Sequence, residues 1–382
     1  MKPLDGVRVL DLTRLLPGNY CTLVMAALGA DVIKVEDHGA GDYIRRYGTQ
    51  VAGSGVIDHQ VNRGKRSICL DLKDPTERGR FEALVATANI LVESFRPGTL
   101  DRLGYSSNRL HELRPDLIIA SISGFGADGP LASEHGHDLN FLALSGLLDR
   151  LGETGGEPLP LPIPLADLLG GLVSAMFTIP YLRRAEKTGQ GAVIDAPLFE
   201  ALALLPSSLL AEVVGGTQVG GRGEFKLGAG LATYGVYSAK DGHVALVAQE
   251  QHFWDALVDV VGLDELRARQ RDPSAQELIR DRLTAFFGAR TKLEIAHEFA
   301  GKPSCVSALQ SYEEMLVSPH AKARGFLRAD PDGPVPQLAL PVTVDGERPR
   351  ALSPAPTQGQ HTAEILAELD RIRAKGESRY AH

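Results

Sequence analysis

The stretch VRVLDLTRLLPGNYCTLVMAALGADVIKVE, residues 7–36, decides the fold class. Its first six residues form an apolar run typical of a buried strand, Pro17-Gly18 predicts a turn, and residues 19–28 have the composition of a helix. The sequence DVIKVE at 31–36 repeats the strand pattern. Because strand, helix and strand follow one another, this unit predicts two parallel strands joined by a right-handed crossover.

The same alternation continues along the next part of the chain. Strand-like apolar runs lie at 67–72, 90–93 and 117–121, and helical compositions lie between them at 75–87 and 109–113. Alternating strands and helices are typical of α/β proteins. We therefore predict an α/β fold with a doubly wound, mostly parallel sheet in a Rossmann-like large domain.

A glycine-rich segment marks a domain boundary. Residues 215–230 contain seven glycines, and Lys240-Asp241-Gly242 then separates two apolar runs in the manner of a β-hairpin. A chain of 382 residues is long enough for two or three domains. The predicted organisation is a large domain, a linker, a smaller α+β domain and a C-terminal segment that returns to the large domain, over 1–200, 201–224, 225–328 and 329–382.

Composition and charge narrow the class of protein. The chain has 43% hydrophobic and 23% charged residues, as soluble globular proteins do, and its formal net charge of −8 argues against a nucleic-acid partner. Cys21, Cys69 and Cys305 have neither zinc spacing nor a disulfide pattern, so we expect no metal and a cytoplasmic location. The most apolar stretch, 192–214, contains three carboxylates and predicts a strand at 192–195 followed by a buried helix, not a membrane span.

A glycine motif follows one of the predicted strands. Residues 124–129, GFGADG, match the G-x-G-x-x-G pattern of dinucleotide-binding loops, and Asp149 lies 20 residues beyond Gly129. However, Pro130 interrupts the turn, and the motif is not in the first strand–helix unit. The sequence therefore favours a tight turn with close backbone packing over a nicotinamide site.

Basic residues lie on both sides of predicted strands. Lys65 and Arg66 precede one strand, and Arg96 follows another. Ligands of open α/β sheets bind at the carboxyl ends of strands, and arginine and lysine hold phosphates by charge-assisted hydrogen bonds. Two interpretations remain open with about even weight: a joint phosphate site, or solvated basic loops.

Two helices are predicted at 132–148 and 165–185, and a titratable residue lies near the start of each. His137 lies in GHDLNF at 136–141, and Asp167 lies in LADLLGG at 165–171. A histidine at the positive end of a helix dipole tends to be neutral and is then able to act as a base. Taken alone, His137 is more often a structural histidine and Asp167 more often a helix N-cap. Glu250, at a predicted helix start, is either solvent-facing or the group that orients the His137 ring.

Several motifs together resemble those of a known family. They are LDGVRVLDL at 4–12, LGADVIKVE at 28–36, RGKRS at 63–67, FRPG at 95–98, SGFG at 123–126 and TGQG at 188–191. They run through nearly the whole chain, which resembles the family III CoA-transferase superfamily. The GHDLNF run resembles the alpha-methylacyl-CoA racemases within it, because transferases usually carry an aromatic residue where His137 stands.

The resemblance implies an activity and its alternative. The first is an acyl-CoA racemase or epimerase that inverts the α-carbon of a 2-methyl-branched acyl-CoA, with His137, Asp167 and Glu250 as catalytic residues. The alternative is a CoA-transferase in which Asp167 forms an acyl anhydride and then a CoA thioester. In both cases coenzyme A is part of the substrate, and no tightly bound cofactor is expected.

The resemblance also implies a set of CoA-binding residues and an assembly. The contact residues are Lys65, Arg66, Cys69, Leu70, Asp71, Leu72, Lys73, Phe95, Arg96, Arg102, Gly136, Asp138, Leu139, Asn140 and Phe141. An interlocked homodimer is expected, with Glu250 supplied by the partner, and with no membrane. Asp37 departs from the family pattern, because many relatives have an arginine there that contacts CoA. The run at 225–232 also departs from it, in a loop expected to border the acyl pocket.

Overall fold

A computed structural model of the chain describes residues 2–205, 207–223 and 230–379. The described residues divide into two compact units. Unit 1 takes residues from 1–145, 161–206 and 320–382, and unit 2 takes residues from 146–160 and 207–319.

The described strands and helices have the following bounds. The strands are β1 (Arg8–Leu12), β2 (Asp31–Glu36), β3 (Gln50–Val51), β4 (Ser54–Gly55), β5 (Arg66–Cys69), β6 (Ile90–Glu93), β7 (Ile118–Ser123), β8 (Ala192–Pro197), β9 (Tyr234–Ala239), β10 (Gly242–Val247), β11 (Val306–Ala308), β12 (Leu327–Arg328) and β13 (Gln337–Leu338). The α-helices are α1 (Leu15–Ala27), α2 (Val56–Val61), α3 (Pro75–Thr87), α4 (Thr99–Arg102), α5 (Ser107–Leu113), α6 (Asp138–Leu144), α7 (Leu165–Thr188), α8 (Leu198–Leu202), α9 (Ser207–Val214), α10 (Gln251–Val261), α11 (Gln276–Gly288), α12 (Lys292–Glu298), α13 (Tyr312–Val317), α14 (Pro319–Ala323) and α15 (Thr362–Arg379).

Unit 1 is built on a six-stranded sheet in the order β5-β2-β1-β6-β7-β8. Every neighbouring pair is parallel, which confirms the predicted α/β fold. Leu10, Ile33 and Leu91, from three adjacent strands, are fully buried. Strands covered on both faces are continuously apolar, which is why these runs were recognisable in the sequence.

Unit 2 contains a three-stranded antiparallel sheet in the order β11-β10-β9. The strands β9 and β10 form the predicted hairpin, with Gly242 opposite Ala239. Trp254 and Leu257 of α10 and Phe287 of α11 are fully buried against this sheet. Unit 2 is therefore an α+β unit with its own core.

Three sequence predictions about helices need correction. Pro17-Gly18, predicted as a turn, lies inside α1, which begins at Leu15. The helix expected from residue 132 begins only at Asp138, because residues 129–136 form turns and coil. The strand predicted at 192–195 is β8, but the helix predicted from there to 214 is two short helices, α8 and α9, and Val214 is 87% exposed. The apolar pattern alone does not distinguish a buried face from an exposed one.

Helix α7 contacts its neighbours through two glycines. A Cβ atom on Gly171 would overlap the carbonyl oxygen of Pro17 in α1, and one on Gly170 would overlap the side chain of Leu198 in α8. Close approach of these helices therefore requires glycine at both positions. α7 is also long and apolar enough to cross a membrane by length and composition, a test that core helices of soluble proteins also pass.

Gly171→Ala is expected to destabilise the protein by about 1–3 kcal/mol, because the methyl group must push α7 away from α1. Thermal unfolding measures the change. Gly79→Ala is the matched control, since Gly79 is exposed in the middle of α3 with open space around it. That substitution should be stabilising by about 0.5–1 kcal/mol through helix propensity. Equal effects of the two substitutions would contradict the packing argument.

Candidate active site

Two cavities open at the carboxyl ends of the unit 1 strands. The central cavity has a volume of about 900 Å³, and the side cavity one of about 460 Å³. Arg14 and Phe95 line both of them. A large concave site at this edge is where open α/β sheets bind their ligands.

His137 and Asp167 both line the central cavity. His137 is the N-cap residue of α6, and its backbone N–H donates to Oδ1 of Asn140 at 3.0 Å. Phe141 packs so closely on Gly136 that a Cβ there would lie 2.8 Å from the Phe141 ring. The Gly-His-Asp-Leu-Asn-Phe pattern thus fixes the backbone that presents the imidazole.

Asp167 is not the N-cap of its helix. α7 begins at Leu165, and the N-cap position is Pro164, whose side chain accepts no hydrogen bond. Instead, Oδ1 of Asp138 accepts the backbone N–H of Ala166 at 2.6 Å and that of Asp167 at 3.3 Å. The carboxylate of Asp167 therefore does not cap α7, and Asp167 lines the central cavity. The N-cap interpretation of Asp167 is wrong.

The surroundings of Asp167 change its acidity. Burial and, less strongly, the negative charge of Asp138 raise the pKa of the Asp167 carboxyl, His137 acts in the opposite direction, and the net result is a pKa of about 6. His137 and Asp167 therefore interact electrostatically within one cavity. A carboxyl group with this pKa both gives and takes protons near neutral pH, as acid–base catalysis requires.

Glu250 lies in unit 2, at the N-cap position of α10. Its side chain is exposed and makes no hydrogen bond or ion pair with the residues that the structure describes. The loop before it is anchored by Gln270, whose Nε2 donates to the carbonyl oxygens of Ala248 and Gln249 at 2.7 and 3.0 Å. Glu250 thus lies at the start of α10 with its carboxylate unengaged by the described residues.

The predicted CoA contacts fall into three groups. Six residues line the central cavity: Phe95, Arg96, Arg102, Gly136, Asn140 and Phe141. Five line the side cavity: Leu70, Asp71, Leu72, Lys73 and again Phe95. The remaining five line neither of the two cavities: Lys65, Arg66, Cys69, Asp138 and Leu139.

Lys65 and Arg66 are not brought together with Arg96. Nζ of Lys65 is buried and donates to Asp11 at 2.9 Å and to Asn62 at 2.7 Å. Arg66 forms ion pairs with Asp31 and Glu368 at 2.6 and 3.0 Å. Lys65 and Arg66 lie at the amino end of β5, whereas Arg96 follows the carboxyl end of β6, so the parallel strands place them at opposite ends of the sheet. The hypothesis of a joint phosphate site is therefore not supported.

The glycine motif at 124–129 forms a tight turn. Asp195 accepts the backbone N–H of Ala127 at 2.7 Å, and Ser123 accepts that of Gly126 at 3.0 Å. A Cβ on Gly124 would lie 2.9 Å from the Phe141 ring. These contacts agree with close backbone packing, the interpretation that the sequence favoured.

Comparison with known proteins identifies the family. The family model described as CoA-transferase family III matches residues 4–362. The chain belongs to CoA-transferase family III. It is 33% identical over 371 residues to human alpha-methylacyl-CoA racemase, covering 96% of this chain and 93% of that protein. It is also 33% identical over 388 residues to acetyl-CoA:oxalate CoA-transferase of Acetobacter aceti, covering 98% and 97% of the two chains.

A solved structure shares the fold of this chain. A CAIB/BAIF family protein from Brucella suis superposes with a TM-score of 0.83 at 30% identity, covering 97% of this chain and all of that one. The resemblance deduced from the sequence is thus confirmed. Relatives named as racemases and as CoA-transferases occur at equal identity, so the family alone does not assign one activity.

Sequence reasoning missed Arg14, a residue that lines both cavities. Arg14 lies between the cavities, with its guanidinium 5.4 Å from the centre of the Tyr43 ring and 2.9 Å from Asp37. Asp37 also accepts the N–H groups of Gly39 and Gly41 at 2.8 and 3.0 Å. Arg14 comes soon after β1 ends, so the rule about carboxyl ends of strands could have found it. Residues 224–229, in the loop expected to border the acyl pocket, lie outside the described residues.

Proposed function

We propose that this protein is an acyl-CoA racemase or epimerase that inverts the α-carbon of a 2-methyl-branched acyl-CoA by two-base proton transfer. The observation that carries the proposal is that His137 and Asp167 line one cavity, where burial raises the pKa of Asp167 to about 6. The racemase relative at 33% identity supports it.

Inversion needs two groups of opposite protonation. A single base returns a proton to the face from which it removed it, whereas two groups on opposite faces exchange one proton for another and invert the carbon. In one direction neutral His137 removes the α-proton while protonated Asp167 donates one. In the other direction ionised Asp167 removes the proton and the imidazolium donates.

The enolate that forms between the two steps needs hydrogen-bond donors at its oxygen. The first N–H groups of α7 are already donated to Asp138. Those N–H groups are therefore not available to this oxygen, and its donors must come from other residues that line the central cavity.

The two adjoining cavities together offer room for the acyl group and the nucleotide of a CoA thioester. Arg14, Arg96 and Arg102 line the central cavity, and Lys73 lines the side cavity. Guanidinium groups bind phosphates through charge-assisted hydrogen bonds. Binding energy from the nucleotide then positions the reacting carbon far from it.

Hydrogen exchange tests this function. In deuterated water the purified protein should introduce deuterium at the α-carbon of a 2-methylacyl-CoA without any carboxylic acid acceptor. Mass spectrometry of the thioester measures it. His297→Ala, at an exposed position of α12, is the control and should exchange at the wild-type rate. No uptake across a panel of branched thioesters would contradict the racemase proposal.

CoA transfer is the second candidate, supported by the Acetobacter aceti relative at the same identity. The Asp167 carboxylate would attack the thioester carbonyl and expel CoA thiolate, which forms a mixed anhydride. CoA would then attack the Asp167 acyl carbon and release the carboxylic acid, which leaves a CoA thioester on Asp167. Hydroxylamine should trap that thioester as a mass change on Asp167, and a racemase should give no such change.

We also propose the interlocked homodimer. The sheet edge β8 and one face of α7 expose apolar side chains, among them Val193 at 54%, Met176 at 55% and Phe177 at 49%, beside a cavity of about 630 Å³. Exposed apolar patches of this kind are typical of protein interfaces. A second copy of the chain is the proposed occupant. The cytoplasmic location stays a proposal from the sequence.

Mixed dimers test the shared site. If Glu250 of one chain serves His137 of the other, His137→Ala and Glu250→Gln chains are each impaired alone. A heterodimer of the two contains one complete site and should recover about half of the wild-type activity per dimer. A heterodimer as inactive as its parents, or a monomer by light scattering, would contradict the shared site.

A further inference from the structure

The helices that carry His137 and Asp167 are joined by one carboxylate. Asp138 is the first residue of α6, and its Oδ1 accepts the N–H groups of Ala166 and Asp167 at 2.6 and 3.3 Å. Pro164, at the N-cap position of α7, has no side-chain acceptor. The cap of α7 thus comes from the neighbouring helix, next in sequence to His137.

We propose that Asp138 is a positioning residue, which fixes Asp167 relative to His137 and keeps a negative charge beside it so that the pair retains one proton. This inference rests on the proposed racemase function. It differs from the CoA contact that the family resemblance implied for Asp138. Asp138 does not line either cavity that we assign to the CoA thioester, and its carboxylate oxygen is occupied by α7.

The negative charge of Asp138 affects the protonation of Asp167 that inversion requires. Two-base inversion requires one proton on the pair in both directions, and a nearby negative charge favours the protonated forms. The titratable groups on the elements packed against α7 include Tyr20 and Cys21 of α1, His137 and Asp138 at the start of α6, Glu200 of α8 and Asp195 of β8. Among them, Asp138 raises the pKa of Asp167 and His137 lowers it.

Two substitutions separate the geometric role from the electrostatic one. Asp138→Asn keeps an oxygen that accepts the Ala166 N–H but removes the charge. We expect nearly unchanged thermal stability, and an acidic limb of the pH–rate profile moved to lower pH by about one unit. Asp138→Ala loses the hydrogen bond as well, so its melting temperature should also fall by several degrees.

Asp128→Asn is the matched control, since Asp128 is exposed in the preceding loop and has no assigned contact among the described residues. It should leave both the pH profile and the melting temperature unchanged. An unchanged acidic limb in Asp138→Asn would overturn the proposal. So would a stability loss in Asp138→Asn as large as that in Asp138→Ala.

A double-mutant cycle gives a readout that does not depend on activity. The pKa of Asp167 is raised from 3.8 to about 6 in the folded chain. The proton on Asp167 therefore contributes to the stability of the fold fully below about pH 4, and this contribution is lost as the pH rises through about 6. Asp167→Asn should therefore raise the melting temperature at pH 8 and leave it unchanged at pH 4.

In the Asp138→Asn background that gain at pH 8 should be clearly smaller, because the neighbouring charge is gone. Equal gains in both backgrounds at pH 8 would overturn the role of Asp138, whatever reaction the protein catalyses. Absence of α-hydrogen exchange in the wild type would instead count against the proposed function alone. The two failures are therefore distinguishable.

Discussion

Asp167→Asn should lower the inversion rate of a 2-methylacyl-CoA by about a thousandfold or more and still exchange the α-hydrogen of one enantiomer. The amide gives no proton, so inversion stops, because losing one acid–base group costs about 10²–10⁴-fold. His137 still removes and returns a proton on its own face. His137→Ala should show the reverse: no inversion, and exchange of the opposite enantiomer only.

Each variant should be incubated with each pure enantiomer in deuterated water, followed by chiral separation and mass spectrometry of the acyl group. This gives four combinations, of which two should show deuterium without inversion and two should show neither. Exchange of the same enantiomer by both variants would contradict the placement of the two groups on opposite faces. Retained inversion in either variant would contradict its assignment as an acid–base residue.

Lys34→Met should reduce the free energy of unfolding by about 3–5 kcal/mol, because it leaves the buried Asp42 carboxylate without its counterion. Nζ of Lys34 is completely buried, lies 2.9 Å from Asp42, and donates to Asn19 at 2.7 Å. Asp11 is also completely buried, 3.8 Å from the same ammonium. Chemical denaturation measures the loss, and Lys187→Met, at an exposed site in the last turn of α7, should change stability by less than about 0.5 kcal/mol.

Asp42, the ion-pair partner of Lys34, also holds a residue that lines the central cavity. Oδ1 of Asp42 accepts the N–H of Leu15 at 2.8 Å, and Leu15 begins α1 with φ at 61°, where a non-glycine residue is strained. Loss of the Lys34 charge should therefore also impair binding at the central cavity, which Arg14 and Leu15 line. A stable Lys34→Met protein with wild-type kinetics would contradict this account.

The buried charges also set the pH range of stability. Lys34, despite burial, lowers the pKa of Asp42, and the pKa of Asp11 is held well below its ordinary value. Carboxyl groups with lowered pKa stabilise the fold above the unfolded value near 4, and that stability is lost as the pH falls further. The pKa of Lys34 is raised, so its contribution holds at neutral pH and is lost only in strong alkali.

The sheet was predictable because its signal is local. Each strand covered on both faces is a short apolar run, so the run 7–12 and its successors identify themselves without knowledge of their neighbours. The stretch 192–214 was harder to predict, because a local apolar signal does not show which of its faces is covered. Its apolar residues belong to a strand and two short helices, and part of its apolar surface faces outward. Hydrophobicity alone does not say what covers a surface.

The site was less predictable because it depends on contacts between distant residues. Asp138 caps a helix that starts 27 residues later, at Leu165, and nothing in either local sequence shows this. Lys65 was a candidate for a phosphate site or a solvated loop, yet it is buried and Asp11, 54 residues earlier, is its partner. Local patterns reveal which residues carry charge, whereas the tertiary fold decides whether that charge meets solvent, substrate or another side chain.

The most direct test of the account follows one enantiomer of a 2-methylacyl-CoA in deuterated water with the wild-type protein and no acyl acceptor. At early times the opposite enantiomer should appear, and each newly formed molecule should carry one deuterium at the α-carbon. The racemase account would be contradicted if only the starting enantiomer were recovered. In that case acyl transfer after addition of a carboxylic acid, with a hydroxylamine-sensitive adduct on Asp167, would identify a CoA-transferase instead.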